Sequence, residues 1–135
     1  MTAVLLDTDI VSFLFKGERN RLRKLESYLE RHTLAISFMT VAELYQWAKF
    51  NRWGAARAQR LEASIQDYLV FPFDIDLCRI WAFIRSERRF SGQPISPQDA
   101  WIAATALHHG IELVTNNARD FQGIAGLKLN DERLN

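Results

Sequence analysis

The sequence predicts an α/β fold: a three-layer α/β/α sandwich around a central, mainly parallel sheet. Three observations predict it. Apolar runs of strand length recur along the chain, AVLL at 3–6, LAIS at 34–37, LVFPF at 69–73 and IELVT at 111–115. Segments with apolar residues at helical spacing separate them. Acidic or amide residues follow the runs, at the strand carboxyl ends where open parallel sheets bind ligands.

The elements follow in order. Residues 3–6 read as a buried strand, because a strand covered on both faces is apolar throughout. IVSFLF at 10–15 follows as a short helix, stopped near Gly17. Residues 19–32 carry Leu22, Leu25 and Leu29 at helical spacing and predict a helix. LAIS at 34–37 is the second strand. VAELYQWAKFN at 41–51 is a helix, and 55–68 is another, with Leu61, Ile65 and Tyr68 on one face. In the strand at 69–73, Pro72 suits an edge or a strand end, since proline donates nothing to a ladder. Residues 76–90 are helical, and SGQPISP at 91–97 is the clearest loop. A helix at 98–109 ends before Gly110, a good C-terminal stop. A strand at 111–115, a helical turn at 118–122 and a final strand near 127–129 complete the pattern. There is no repeat, low-complexity tract or linker, so the 135 residues are expected to form one domain, 1–135.

The composition, 48% hydrophobic and 24% charged, suits a packed core. No apolar run reaches membrane-spanning length. The opening MTAVLLDTDI lacks a basic leader and is acidic by position 7, so it does not read as a secretory signal, and a cytoplasmic home is expected. The one cysteine, Cys78, excludes an internal disulfide and a cysteine-based zinc site. Net charge is +1, but arginine, the better phosphate fork, far outnumbers lysine. Basic residues cluster at Lys16, Arg19, Arg21, Arg23 and Lys24, at Lys49, Arg52, Arg57 and Arg60, and at Arg85, Arg88 and Arg89. Any one cluster reads first as a solvated helix face; three in a short chain are compatible with a phosphate-tracking surface.

The chemistry-bearing set lies at the strand ends. Asp7 follows AVLL, with Asp9 two residues on. Glu43 follows LAIS, Asp99 opens the helix after the 91–97 loop, and Asn117 and Asp120 follow IELVT. Taken singly, each is first a helix cap. Thr40-x-x-Glu43 and Ser96-x-x-Asp99, with Pro97 at the first helical position, have capping-box form. Asn117-x-x-Asp120 shares it, and Asp7 or Thr8 suits the helix that follows. Such a cap is worth about 1 kcal/mol. Taken together, the carboxylates converge on one rim of the sheet, with only Asp74 and Asp76 following the remaining strand. Converging like charges cost stability unless a cation sits among them. All-oxygen ligands suit Mg²⁺ or Mn²⁺, and ions so held hydrolyse phosphodiesters. His32, His108 and His109 are poorly placed for a paired acid–base mechanism; His108 and His109 suit a helix C-terminus. No glycine-rich phosphate loop is present.

The stretches LLDTDIVSFLF, ISFMTVAELYQWA, ISPQDAWIAATALHHGIELVTNNARDF and GIAGLKL resemble, in order and spacing, the motifs of PIN-domain ribonucleases, nearest to the toxins of VapBC-type toxin–antitoxin pairs. The resemblance runs from about residue 3 to about residue 130. It implies a Mg²⁺- or Mn²⁺-dependent endoribonuclease that cuts RNA, such as tRNA or rRNA, with water as nucleophile. It places Asp7, Glu43 and Asp99 as metal ligands, with Asn117 and Asp120 supporting the site. It implies a cognate antitoxin partner and a homodimer. Two positions depart from the common pattern: Asn117 stands where many members have aspartate, and Asp9 where asparagine is frequent, so Asp9 is either a compensating carboxylate or a helix cap. The alternative expectation is a catalytically weak PIN-like module acting through protein contacts, with Asn117 as its best support. Trp47, Trp53, Trp81 and Trp101 are expected to pack before they bind anything.

Overall fold

The structure is a computed structural model and describes residues 1–130. Five parallel strands, β1 (Ala3–Leu6), β2 (Thr33–Ser37), β3 (Leu69–Phe71), β4 (Glu112–Val114) and β5 (Leu129–Asn130), lie in the order β3-β2-β1-β4-β5. Strand β1 is central, with Leu5 beside Ala35 on one side and Leu113 on the other. Its side chains alternate between the two faces, as a period of two requires. Val4 and Leu6 enter a core built with α1 (Thr8–Lys16), α2 (Glu26–Glu30), α3 (Phe38–Phe50) and α4 (Ala55–Ile65). Leu5 enters the opposite core, beneath α5 (Ile75–Phe90) and α6 (Pro97–His109). The three-layer expectation therefore holds. Among the described residues no helix is long and apolar enough to cross a membrane.

Helix ends follow local chemistry. Gly17 and Gly110 close α1 and α6 at φ 73° and 63°, a left-handed region where a side chain would be strained. Ser96 caps α6, accepting from the Asp99 amide, with Pro97 in the first turn. Three expectations need correction. The helix over 19–32 divides into a 3₁₀ helix, Arg19–Leu25, and α2, since Leu22 and Leu25 are three apart and eclipse in a 3₁₀ turn. Helix α3 starts at Phe38 rather than 41, because Ser37 already ends β2 and its Oγ accepts from the Thr40 amide. Thr40-x-x-Glu43 is thus no capping box, and both side chains are free for other work. Asn117 makes no side-chain cap on the 3₁₀ turn Ala118–Phe121. Smaller shifts are an earlier start for α1 at Thr8, an earlier end for α4 at Ile65, and a last strand at 129–130. Pro72 lies just past β3, which is an edge strand.

Candidate functional site

The carboxyl ends of β2, β1 and β4 lie side by side at the middle of the sheet. The residues that leave them are Ser37, Asp7 and Thr115, all buried. Asp7 is 6% exposed. Its backbone N–H donates to the Val114 carbonyl (2.9 Å), which ties the end of β1 to β4. Its Oδ1 accepts from the Thr8 amide (2.8 Å) and its Oδ2 from the Thr115 hydroxyl (2.7 Å). Asp7 is therefore both the cap of α1 and an oriented carboxylate.

Glu43 comes from the second turn of α3. The Thr8 hydroxyl donates to its Oε1 (2.7 Å) and lies 2.9 Å from the Thr40 hydroxyl, so residues of α1 and α3 fix it from one side. Asp9 is the second residue of α1. Its Oδ2 accepts from the Asn116 amide and from Asn117 Nδ2, each at 3.2 Å, while its Oδ1 is buried with no hydrogen-bond partner. Asp99, in the first turn of α6, faces the same rim. Its negative charge acts on Asp7, Asp9 and Glu43.

Burial and mutual repulsion raise every carboxyl of this set. Asp7 is pushed up to about 7, first by burial and then by the charges of Asp9 and Asp99, against the pull of the Thr115 and Thr8 hydrogen bonds. Asp9 is pushed to about 6, again chiefly by burial. Burial also raises Glu43 and Asp99, the latter aided by Asp120 and opposed by Ser96 and Arg88. Asp7, Glu43 and Asp99 are thus brought together. The Asn117 side chain reaches the set through Asp9, and its backbone N–H donates to the Thr115 hydroxyl that holds Asp7. Asp120 is exposed, and its charge acts on Asp99.

A groove of about 510 Å³ opens from Asp99 and Asp120 and carries Arg88 and Arg119 on its walls. Arg88 donates to the carbonyls of Gln93 (2.7 Å), Asp120 (3.2 Å) and Gln122 (3.3 Å), so it rivets the 91–96 loop to the 118–122 turn. Several members of the other basic clusters are engaged locally. Lys16 and Arg21 pair with Glu18, and the Arg57 and Arg60 guanidiniums lie over Trp53 and Phe15. The tryptophans pack, Trp47 against Trp53 and Trp81 against Trp101. His108 pairs with Asp74 at the β3 end and His109 stacks on Phe71.

The sequence reading missed Thr8, Thr40 and Thr115 as the hydroxyls that aim the carboxylates. Their signal is a threonine within three residues of each strand end, but Thr8 and Thr40 also fit capping patterns and Thr115 reads as the end of a strand. A divalent cation suits this donor set. Every donor is a hard oxygen, the carboxyls are held against their own charge by burial, and Asp9 Oδ1 is an acceptor with nothing to accept from. Among the described residues no three of these side chains already meet around one point, so the fit is one of chemistry and proximity.

Comparison with known proteins bears on the same rim. A family model described as PIN domain matches residues 4–127. The VapC ribonuclease Y4jK of Sinorhizobium fredii is 34% identical over 134 residues, 93% of this chain and 94% of that protein. The tRNA(fMet)-specific endonuclease VapC of Shigella flexneri is 29% identical over 131 residues, 97% of this chain and 98% of that one. In structure, the chain is similar to the DNA-bound VapBC of Salmonella typhimurium, at a TM-score of 0.79 and 28% identity over 96% of this chain and 98% of that one. It is also similar to VapBC-1 of nontypeable Haemophilus influenzae, at a TM-score of 0.81, 28% identity and the same coverage.

Proposed function

The chain belongs to the PIN-domain family, and we propose that it is a metal-dependent endoribonuclease, the toxin of a type II toxin–antitoxin pair. The observation that carries this reading is the set of buried Asp7 and half-buried Glu43 and Asp99 on one rim, with hydroxyl donors holding Asp7 and Glu43. Asp7, Glu43 and Asp99 would hold Mg²⁺ or Mn²⁺. When bound, such an ion polarises the phosphate and lowers the pKa of a water.

The chain's own residues do the rest. Thr115 and the Thr8 amide keep Asp7 aimed and favour its ionised form, and the Thr8 hydroxyl does the same for Glu43. Arg88 holds the groove walls together, and Arg119, exposed on the groove beside Asp99, supplies a cation for the backbone of a bound strand. Asn117 and Asp120 support the site, one through Asp9 and one through Asp99. The products carry a 5′-phosphate and a 3′-hydroxyl. The substrate is RNA of the tRNA or rRNA class; the relatives' names, a ribonuclease and a tRNA(fMet)-specific endonuclease, support RNA and, for one of them, tRNA. A cognate antitoxin is the protein partner, as in the similar complexes. The exposed apolar side chains Leu69, Val70, Phe73 and Ile75 around β3 support a homodimer. The protein acts in the cytoplasm.

The test is cleavage of total tRNA and rRNA by protein freed of co-purified antitoxin, with Mn²⁺ or EDTA, beside Asp7→Asn. Discrete fragments that need Mn²⁺ and vanish in the variant are expected. No cleavage, or cleavage that survives both EDTA and the substitution, would overturn the reading in favour of a PIN-like module that works through protein contacts.

A further inference from the structure

We propose that Asp9 is a further ligand of the cation and supplies the carboxylate that Asn117 does not. This rests on the metal-dependent reading above and extends it to a residue outside the set Asp7, Glu43 and Asp99.

Three observations carry it. The first is that Asp9 divides its labour. Oδ2 is fixed by the Asn116 amide and Asn117 Nδ2, which leaves Oδ1 buried and without a hydrogen-bond partner. A buried acceptor with no donor is destabilising, and such groups persist where a ligand or ion uses them. Capping does not explain it, because α1 is already capped by Asp7. The amides at the start of α1 favour the ionised carboxylate, as ligation requires, yet none reaches Oδ1 in hydrogen-bond geometry.

The second observation is electrostatic placement. The charge of Asp9 acts on Asp7, and that of Asp99 acts on both. Asp9 is therefore inside the carboxylate set and not beside it. The third is its contact with position 117. The amide nitrogen of Asn117 lies 3.2 Å from Asp9 Oδ2, so the two side chains share one corner of the site. Aspartate at both positions would place two carboxylates in contact with no donor between them. One carboxylate and one amide satisfy each other. The pair is complementary, and either order, Asp9 with Asn117 or the reverse, gives the site one negative charge at that corner.

The test is Mn²⁺ affinity by calorimetric titration or by the loss of the free-ion EPR signal, with no RNA present. Wild type, Asp9→Asn and the exchange variant Asp9→Asn/Asn117→Asp are compared, and metal-free melting curves establish that each is folded. Asp9→Asn removes a buried charge, so its metal-free protein melts at or above wild type. Its Mn²⁺ affinity is expected to fall by about tenfold or more, the scale of losing one charged ligand. The exchange variant is expected to return to within about threefold of wild type, since the charge count is restored. Wild-type affinity in Asp9→Asn would overturn the proposal. A loss in Asp9→Asn that the exchange leaves unrepaired would overturn the complementarity with Asn117. Wild type that binds no Mn²⁺ would overturn the metal-dependent reading itself, a result distinct from the other two.

Discussion

Asp7 and Asp74 look alike in the sequence and behave in opposite ways in the fold. Each follows a parallel strand, and each is the N-cap of the next helix, Asp7 accepting from the Thr8 amide and Asp74 from the Leu77 amide (2.7 Å). Asp7 leaves β1, which has two strands on either side. Asp74 leaves β3 at the edge. The central position surrounds Asp7 with Asp9 on α1, Thr115 just past β4 and Asp99 on α6, and burial pushes its carboxyl up to about 7. The edge position leaves Asp74 in solvent, where the Leu77 amide and the nearby His108 hold its carboxyl below the ordinary value. Capping chemistry is shared, but only the centre of the sheet gathers carboxylates against their own repulsion. That unfavourable arrangement is what a cation relieves.

The largest expected effect breaks the central member. Asp7→Asn or Asp99→Asn is expected to lower Mn²⁺-dependent RNA cleavage by roughly 10³-fold, the scale of removing one preorganised electrostatic contact to a transition state. Single-turnover cleavage with saturating Mn²⁺ measures it. The same substitution has a second readout without metal. The folded pKa of Asp7, about 7, lies above the unfolded value near 3.8, so the folded state holds the extra proton. The stability this contributes is present below about pH 4 and is lost as pH rises towards 7. Metal-free wild type should therefore lose stability to denaturant over that window, and Asp7→Asn should flatten the loss. Mn²⁺ affinity should run the other way and weaken as pH falls below about 7, because protons compete for the carboxylate.

The contrast between the two residues also marks how far the sequence could be read. Apolar runs located the strands and placed their carboxyl ends, and those ends placed Asp7, Glu43 and Asp99 on one rim. Pro72 in LVFPF suited an edge, and β3 is one, which sets Asp74 apart from the rim. The order of the other strands was not legible, because an apolar run does not say which runs it will pair with. Thr40 was read as a cap for a similar reason. The cap was Ser37, three residues earlier, and the freed Thr40 hydroxyl faces Thr8 across 32 positions of chain. The links from Thr115 to Asp7 and from Asn117 to Asp9 each span 108 residues, beyond the reach of any local pattern.

A medium effect tests the support of the central site. Thr115 is fully buried; its hydroxyl donates to Asp7 Oδ2 and accepts from the Asn117 amide (2.9 Å). Thr115→Val keeps the shape and removes both bonds. Loss of such a partner is expected to weaken Mn²⁺ binding by about 10- to 100-fold, and the unpaired buried groups should cost about 1–3 kcal/mol in metal-free unfolding. An unchanged Mn²⁺ affinity would mean that Asp7 needs no orientation. A smaller effect is expected at Arg119, on the groove wall beside Asp99. Arg119→Ala should reduce the slope of log affinity against log salt for single-stranded RNA by about 0.7, one phosphate contact. A slope equal to wild type would move the strand out of this groove.

The smallest effect on activity sharpens the comparison from its edge member. Asp74→Asn keeps a good N-cap residue, since asparagine caps about as well as aspartate, and it is expected to leave cleavage and Mn²⁺ affinity within about twofold of wild type. Its signature is in the pH dependence of stability, and the sign is opposite to that of Asp7. The folded pKa of Asp74 is depressed, so its contribution is present above the unfolded value and is lost as pH falls through the folded one. Wild type should therefore lose this contribution only in acid, below about pH 4, where Asp74→Asn should show a shallower fall. Denaturant unfolding from pH 2 to 8 on metal-free protein separates the two residues in one experiment. A slope near neutral pH belongs to the centre of the sheet, and a slope in acid to its edge. If Asp74→Asn also changed the Mn²⁺ affinity, the β3 end would be coupled to the carboxylate rim, and the distinction between a cap in the centre and a cap at the edge would fail.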